Sequence, residues 1–206
     1  MGEINSVAGV PQQPRVFSAL QKEGTVMHGL RTVLGADADI DISDYYNKDT
    51  GFTEKGLKRL VPMIGNKGYF KEPGNLNNFT DILKNDIASK LRSGVIAKST
   101  DSNPASIYET PPSSVLPFIS DPLPKDVTHA KMAYMAIGIM DGDSFFKKDN
   151  GDWTFYGSYA QEATGKFQDK YMDLSPNDQR GRLGKKTVDM LINVLETGEP
   201  RKKEGI

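Results

Sequence analysis

The chain has 206 residues, of which 37% are hydrophobic and 26% charged, enough for one domain of moderate size or two small ones. A formal net charge of −1 provides no global field to recruit nucleic acid, and no stretch approaches the roughly 18 apolar residues of a membrane-spanning helix. Cysteine is absent, which excludes disulfides, a thiol nucleophile and cysteine-ligated zinc, and His28 and His129 are the only histidines.

Residues 1–15 are rich in Gly, Pro and Gln and read as an extended arm, with no basic region followed by an apolar core of the Sec type. Helical periodicity begins at Val16 with Phe17 and Leu20, then continues through Val26, Met27, Leu30, Val33 and Leu34. Gly24 is expected to separate two helical pieces, and Gly35 to close the second. Asp37, Asp39 and Asp41 alternate with Ala38, Ile40 and Ile42, which predicts a short strand or an extended run. The same aspartates resemble the opening of an EF-hand loop. Ile42 then stands where glycine is required and Lys48 where glutamate is required, so no EF-hand and no metal site is assigned.

Thr53 is expected to cap a helix reaching about Ile64, kinked or shortened by Pro62. Asn77 or Asn78 starts another, with Ile82, Leu83, Ile87 and Leu91 inward. Residues 98–126 are rich in proline and serine and read as a linker. Beyond it the pattern predicts a helix from His129 to about Met140, a loop over Asp141–Phe155 that can form a hairpin, and helices Tyr159–Met172 and Lys185–Glu196. The hairpin would turn at Asp149-Asn150-Gly151-Asp152.

The expected architecture is mainly α: two small helical units, residues 16–97 and 127–197, joined by the linker and followed by a polar tail, 198–206. Thr25–Leu91 and Thr128–Leu195 have similar lengths and a similar order of features, including the aromatic pairs Tyr45-Tyr46 and Phe145-Phe146. That order suggests a degenerate internal repeat.

Within the second unit, Tyr156-Gly157-Ser158-Tyr159 opens a helix that ends in Phe167-Gln168. Gly181-Arg182-Leu183-Gly184 then opens another containing Thr187, Leu191 and Leu195. Two glycine turns, each feeding a helix, with Phe-Gln between them, resemble the peptidoglycan-binding-like domain family over about residues 128–196. That resemblance implies a three-helix unit and a non-catalytic cell-wall-binding protein of a phage or envelope-targeting system. It would be virion-associated or delivered to the wall by a non-Sec route. Its partner would be peptidoglycan or a protein in a larger assembly, with no cofactor. The resemblance places ligand contacts near the turn–helix starts, at Tyr156, Tyr159 and Gln161, with Arg182 and Lys185 as donors to carboxylates. The segment Asp143–Phe155 is longer than the family's loop, and its Trp153 is expected to add an exposed aromatic face. The alternatives are a structural or adaptor component of a phage particle or injection machine, and a wall glycosidase. For the glycosidase, Glu23, followed by Gly24, is the one catalytic candidate, with a nearby aspartate as partner. Both histidines are expected to be surface or capping residues.

Overall fold

The computed structural model describes residues 19–98, 123–174 and 180–198. The expected arm 1–15, the predicted onset of helical periodicity at 16–18, residues 99–122 of the expected linker, residues 175–179 and the expected tail beyond 198 lie outside the described residues.

Helix α1 spans Ala19–Leu34 and runs unbroken through Gly24. It buries Val26, Leu30 and Val33, one stripe at helical spacing, while Leu20 is 83% exposed rather than part of the stripe. Gly29 completes the buried face: the Phe79 ring lies where its Cβ would be. The predicted break at Gly24 does not occur, because a mid-helix glycine costs only about 1 kcal/mol relative to alanine. Gly35, at φ +114°, ends the helix as expected.

The predicted strand over the alternating aspartates is absent. Ala38 is exposed, while Ile40 and Ile42 are half-buried and pack on the core, but among the described residues no strand pairs with this segment. Asp41 instead caps a single 3-10 turn, Ile42–Asp44, with its carboxylate accepting from the Ser43 amide at 2.9 Å. A two-residue ladder follows, β1 (Tyr46–Asn47) with β2 (Gly51–Phe52), pairing Tyr46 with Phe52 and Asn47 with Gly51.

Helix α2 spans Glu54–Asn66. The Thr53 hydroxyl accepts from the Gly56 amide at 2.9 Å and donates to the Asp44 carbonyl at 2.7 Å, so the cap also ties the helix to the preceding turn. Pro62 does not end the helix, which continues to Asn66, and the proline itself is buried. Helix α3 (Asn77–Ser93) buries Phe79, Ile82, Leu83, Ile87 and Leu91, and the short α4 covers Val95–Lys98.

Helix α5 spans Leu123–Ala136 and starts six residues before the predicted His129. Asp126 through Ala136 are all buried, so from Asp126 onward this helix has no solvent face. The predicted hairpin is instead helix α6, Gly142–Lys148. Asp141 caps its N-terminus, accepting from the Ser144 amide at 2.7 Å, and Lys147 and Lys148 occupy its last turn. Helices α7 (Ser158–Tyr171) and α8 (Lys185–Thr197) lie within one or two residues of expectation.

The helices form one interconnected body, not two units strung on a linker. Helix α3 packs on both α5 and α8, α2 packs on α5 and α6, and α4 packs on α8. Polar contacts follow the same seam. Asn66 donates to Asp143 at 2.8 Å and accepts from the Gly142 amide at 2.9 Å, and the Lys185 ammonium donates to the Ala97 carbonyl at 2.8 Å. The buried Asp126 carboxylate of α5 accepts from the Val95 and Ile96 amides at 3.2 and 3.4 Å, satisfying donors at the start of α4. The physical reason lies in α5: a helix buried on every side needs neighbours from both halves.

Candidate functional site

The residues that the motif singled out are brought together in the second half, but they bond inward. Gln168, 2% exposed, donates to the Arg182 carbonyl at 2.9 Å and the Thr187 hydroxyl at 3.0 Å, and accepts from the Gly181 amide at 2.7 Å. One side chain thus fixes the second glycine turn, where Gly181 adopts φ +83°. The Tyr156 hydroxyl donates to the Gly181 carbonyl at 2.7 Å and also bonds Thr164, which receives the Tyr134 hydroxyl at 2.8 Å. Burial pushes both phenols up, so they remain neutral donors.

Tyr159 is buried, its hydroxyl 3.3 Å from Asp141, and Gln161 donates to the Tyr156 carbonyl at 3.3 Å. Arg182 and Lys185 are half-buried, and the Lys185 ammonium is shared between Ala97 and Asp189. Trp153 is 8% exposed and packs on Phe145 with ring centroids 4.6 Å apart. The free aromatic face expected of Trp153 is therefore not offered, because the insert folds as a capped helix that turns this ring inward.

What the insert does present is Phe146, 53% exposed, and Phe155, 46% exposed, beside the exposed Lys147 and Lys148. The two rings lie against Gly151 and Gly157, where a Cβ on either glycine would crowd them. Inside the same turn, the Lys131 ammonium bonds the Asp149 carboxylate and the Asp152 carbonyl, both at 2.7 Å, and the paired side chains are only 1% and 2% exposed. A lysine ammonium thus occupies the carboxylate that a cation bound to this turn would need. Among the described residues no cluster of three or more potential ligands is suited to a metal.

A cleft of about 470 Å³ opens on the other half, between α1, the β1–β2 turn and α3. Lys22, Lys48, Asp49 and Asp86 line it together with neutral groups that include Tyr46 and Asn85. Asp86, with its side chain 14% exposed, stands 3.4 Å from Lys90 one helical turn away. Burial raises its pKa, opposed by Lys90 and by the Phe52 amide bonded to it. Burial also raises the Tyr46 phenol, with further contributions from the charges of Asp86 and Glu23. Glu23 itself is exposed on α1. Sequence reading passed over Asp86 because Asp-x-x-x-Lys on a helix reads as a solvated surface pair. Only the fold turns it into a cleft wall.

His129 departs from expectation. It is 8% exposed, not on the surface, whereas His28 is exposed. Burial drives the His129 imidazole down to about 4, against the pull of Glu54 and with the push of Lys90, Lys125 and Lys58. A folded pKa below the unfolded one gives stability that is present above about pH 6.5 and lost as the pH falls toward 4. The fall from 6.5 to about 4 corresponds to about 3 kcal/mol. Asp86 and Asp126, both raised by burial, act with the opposite sign above the ordinary carboxylate range. His129→Leu should therefore isolate the imidazole's share: urea midpoints at pH 7 and pH 4.5 should converge in the variant and differ more in the parent.

Compared with known proteins, the chain matches no family model, no curated protein and no solved structure.

Proposed function

We propose that this chain is a non-catalytic binding protein of the bacterial cell wall, from a phage or an envelope-targeting system, and that it presents its ligand surface on the 143–155 insert. The observation carrying this reading is the exposure of Phe146 and Phe155 on one short segment beside Lys147 and Lys148. Aromatic rings stack on sugar faces, and ammonium groups meet the carboxylates of wall peptides. The ordered turn–helix motif in the same half supports the reading. It supplies the scaffold, through Gln168 and the two glycine turns, and leaves recognition to the insert. Trp153 supports this segment from within, packing on Phe145, whose ring in turn adjoins that of Phe146.

Co-sedimentation of the full chain with purified murein sacculi tests this. The parent should pellet with sacculi, and Phe146→Ser with Phe155→Ser should bind about tenfold more weakly, a loss of about 1.4 kcal/mol, with an unchanged helical spectrum. A parent that stays in the supernatant would remove the wall reading. Clearing of a sacculus suspension, abolished by Glu23→Gln, would replace it with a wall glycosidase.

A further inference from the structure

Asn150-Gly151 is the only Asn-Gly pair in the chain, and it forms the centre of a tight turn after α6. The Asp152 amide donates to the Asp149 carbonyl at 2.9 Å, with Asn150 at φ 51° and Gly151 at φ 68° between them. Among the described residues, Asn150 is the only one other than glycine with a positive φ.

An asparagine carboxamide is an electrophile for the amide nitrogen of the next residue. Ring closure is favoured by an accessible carboxamide, by a following residue without a side chain, and by a connecting peptide that can rotate. Asn150 is exposed, and Gly151 has no Cβ to obstruct the approach. Among the described residues, no hydrogen bond holds the Asn150 carboxamide or the Gly151 amide. The frame around them is fixed, because the buried Lys131 ammonium bonds both the Asp149 carboxylate and the Asp152 carbonyl at 2.7 Å. Asp141-Gly142, the only Asp-Gly pair, has the same ring-forming atoms but is held: Gly142 is buried in α6, and its amide donates to Asn66 at 2.9 Å.

We propose that Asn150 is a site of spontaneous deamidation. The Gly151 nitrogen bonds to Asn150 Cγ and gives its proton to solvent. The bond from Cγ to the carboxamide nitrogen breaks, and that nitrogen leaves as ammonia. Water then opens the cyclic imide at either carbonyl, leaving aspartate or isoaspartate. One water is consumed, one ammonia is released, and the formal net charge goes from −1 to −2 by the one carboxylate gained. The Phe146 ring rests where a Cβ on Gly151 would stand, so the altered backbone changes the support of that exposed ring. A further consequence rests on the function proposed above: the new carboxylate, close after Lys147 and Lys148 in the chain, weakens the hold on wall carboxylates as the molecule ages.

Incubation of the full chain in mildly alkaline buffer, followed by peptide mapping and mass spectrometry, tests this. The peptide carrying residues 149–152 should become about 1 Da heavier, at least about tenfold faster than any peptide carrying another asparagine. Isoaspartate should form at position 150 and not at Asp141. Asn150→Gly removes the carboxamide and suits a positive φ, so the variant keeps the turn and should show no such conversion. Conversion at Asn150 no faster than at other asparagines, or none, would overturn the assignment. This readout needs no ligand, so it holds or fails apart from the wall reading. Where the fresh parent pellets with sacculi, ageing should weaken its binding at least about threefold and leave Asn150→Gly unchanged. Equal loss in both would overturn the regulatory consequence.

Discussion

Phe167→Ala is expected to lower the stability of the whole molecule by about 3–5 kcal/mol, the cost of truncating a large, fully buried ring. Phe167 is 0% exposed, with the Tyr134 and Tyr171 rings 5.9 and 5.0 Å away. Domains of this kind are stable by about 5–15 kcal/mol in total, so the loss is a large fraction of the whole. The variant's urea midpoint should fall well below the parent's. Phe146→Ala, at a ring 53% exposed, should stay within about 0.5 kcal/mol of the parent. A Phe167→Ala variant unfolding at the parent's midpoint would mean that α7 is placed in the wrong register.

The second large effect is expected at Asp149. Its partner Lys131 is buried to 1% exposure, and burial already pushes the lysine's pKa down while Asp149 pulls it back up. Asp149→Ala leaves that ammonium without its counter-charge and should cost about 3–5 kcal/mol. Replacing both partners, Lys131→Met with Asp149→Leu, should cost less than Asp149→Ala alone, because no uncompensated charge remains. A double-mutant cycle by urea denaturation measures this. Additive losses would show that the two groups are not coupled.

The elements legible in the sequence were those with local signals. Thr53 and Gly35 mark helix ends by capping and by positive φ, and the stripe Ile82, Leu83, Ile87, Leu91 marks α3 by its period. Other local signals misled. Asp37, Asp39 and Asp41 alternate as a strand would, but among the described residues no strand pairs with them, and Ile40 and Ile42 reach the core without one. The stretch Asp141–Phe155 reads as a loop or hairpin until Asp141 is seen to cap α6. The union of the halves was hidden for a different reason. Helix α5 is buried on all sides, and its polar residues Asp126, His129 and Lys131 disguise it as amphipathic. Each of those groups has its environment supplied from far along the chain, from α4, α2 and the turn after α6. Trp153 was placed outside for want of the same information: a loop aromatic shows its burial only when its neighbour, here Phe145, is known.

The two halves form one body through the packing of α3 on α5 and α8. Urea unfolding of the full chain, followed at once by Trp153 fluorescence and far-ultraviolet circular dichroism, tests this directly, since the only tryptophan lies in the second half. The two signals should trace one coincident transition. Leu83→Ala in α3, at a side chain 0% exposed, should move the Trp153 transition to lower urea together with the helical signal. A fluorescence midpoint unmoved by Leu83→Ala, with the helical signal splitting into two steps, would contradict the single body.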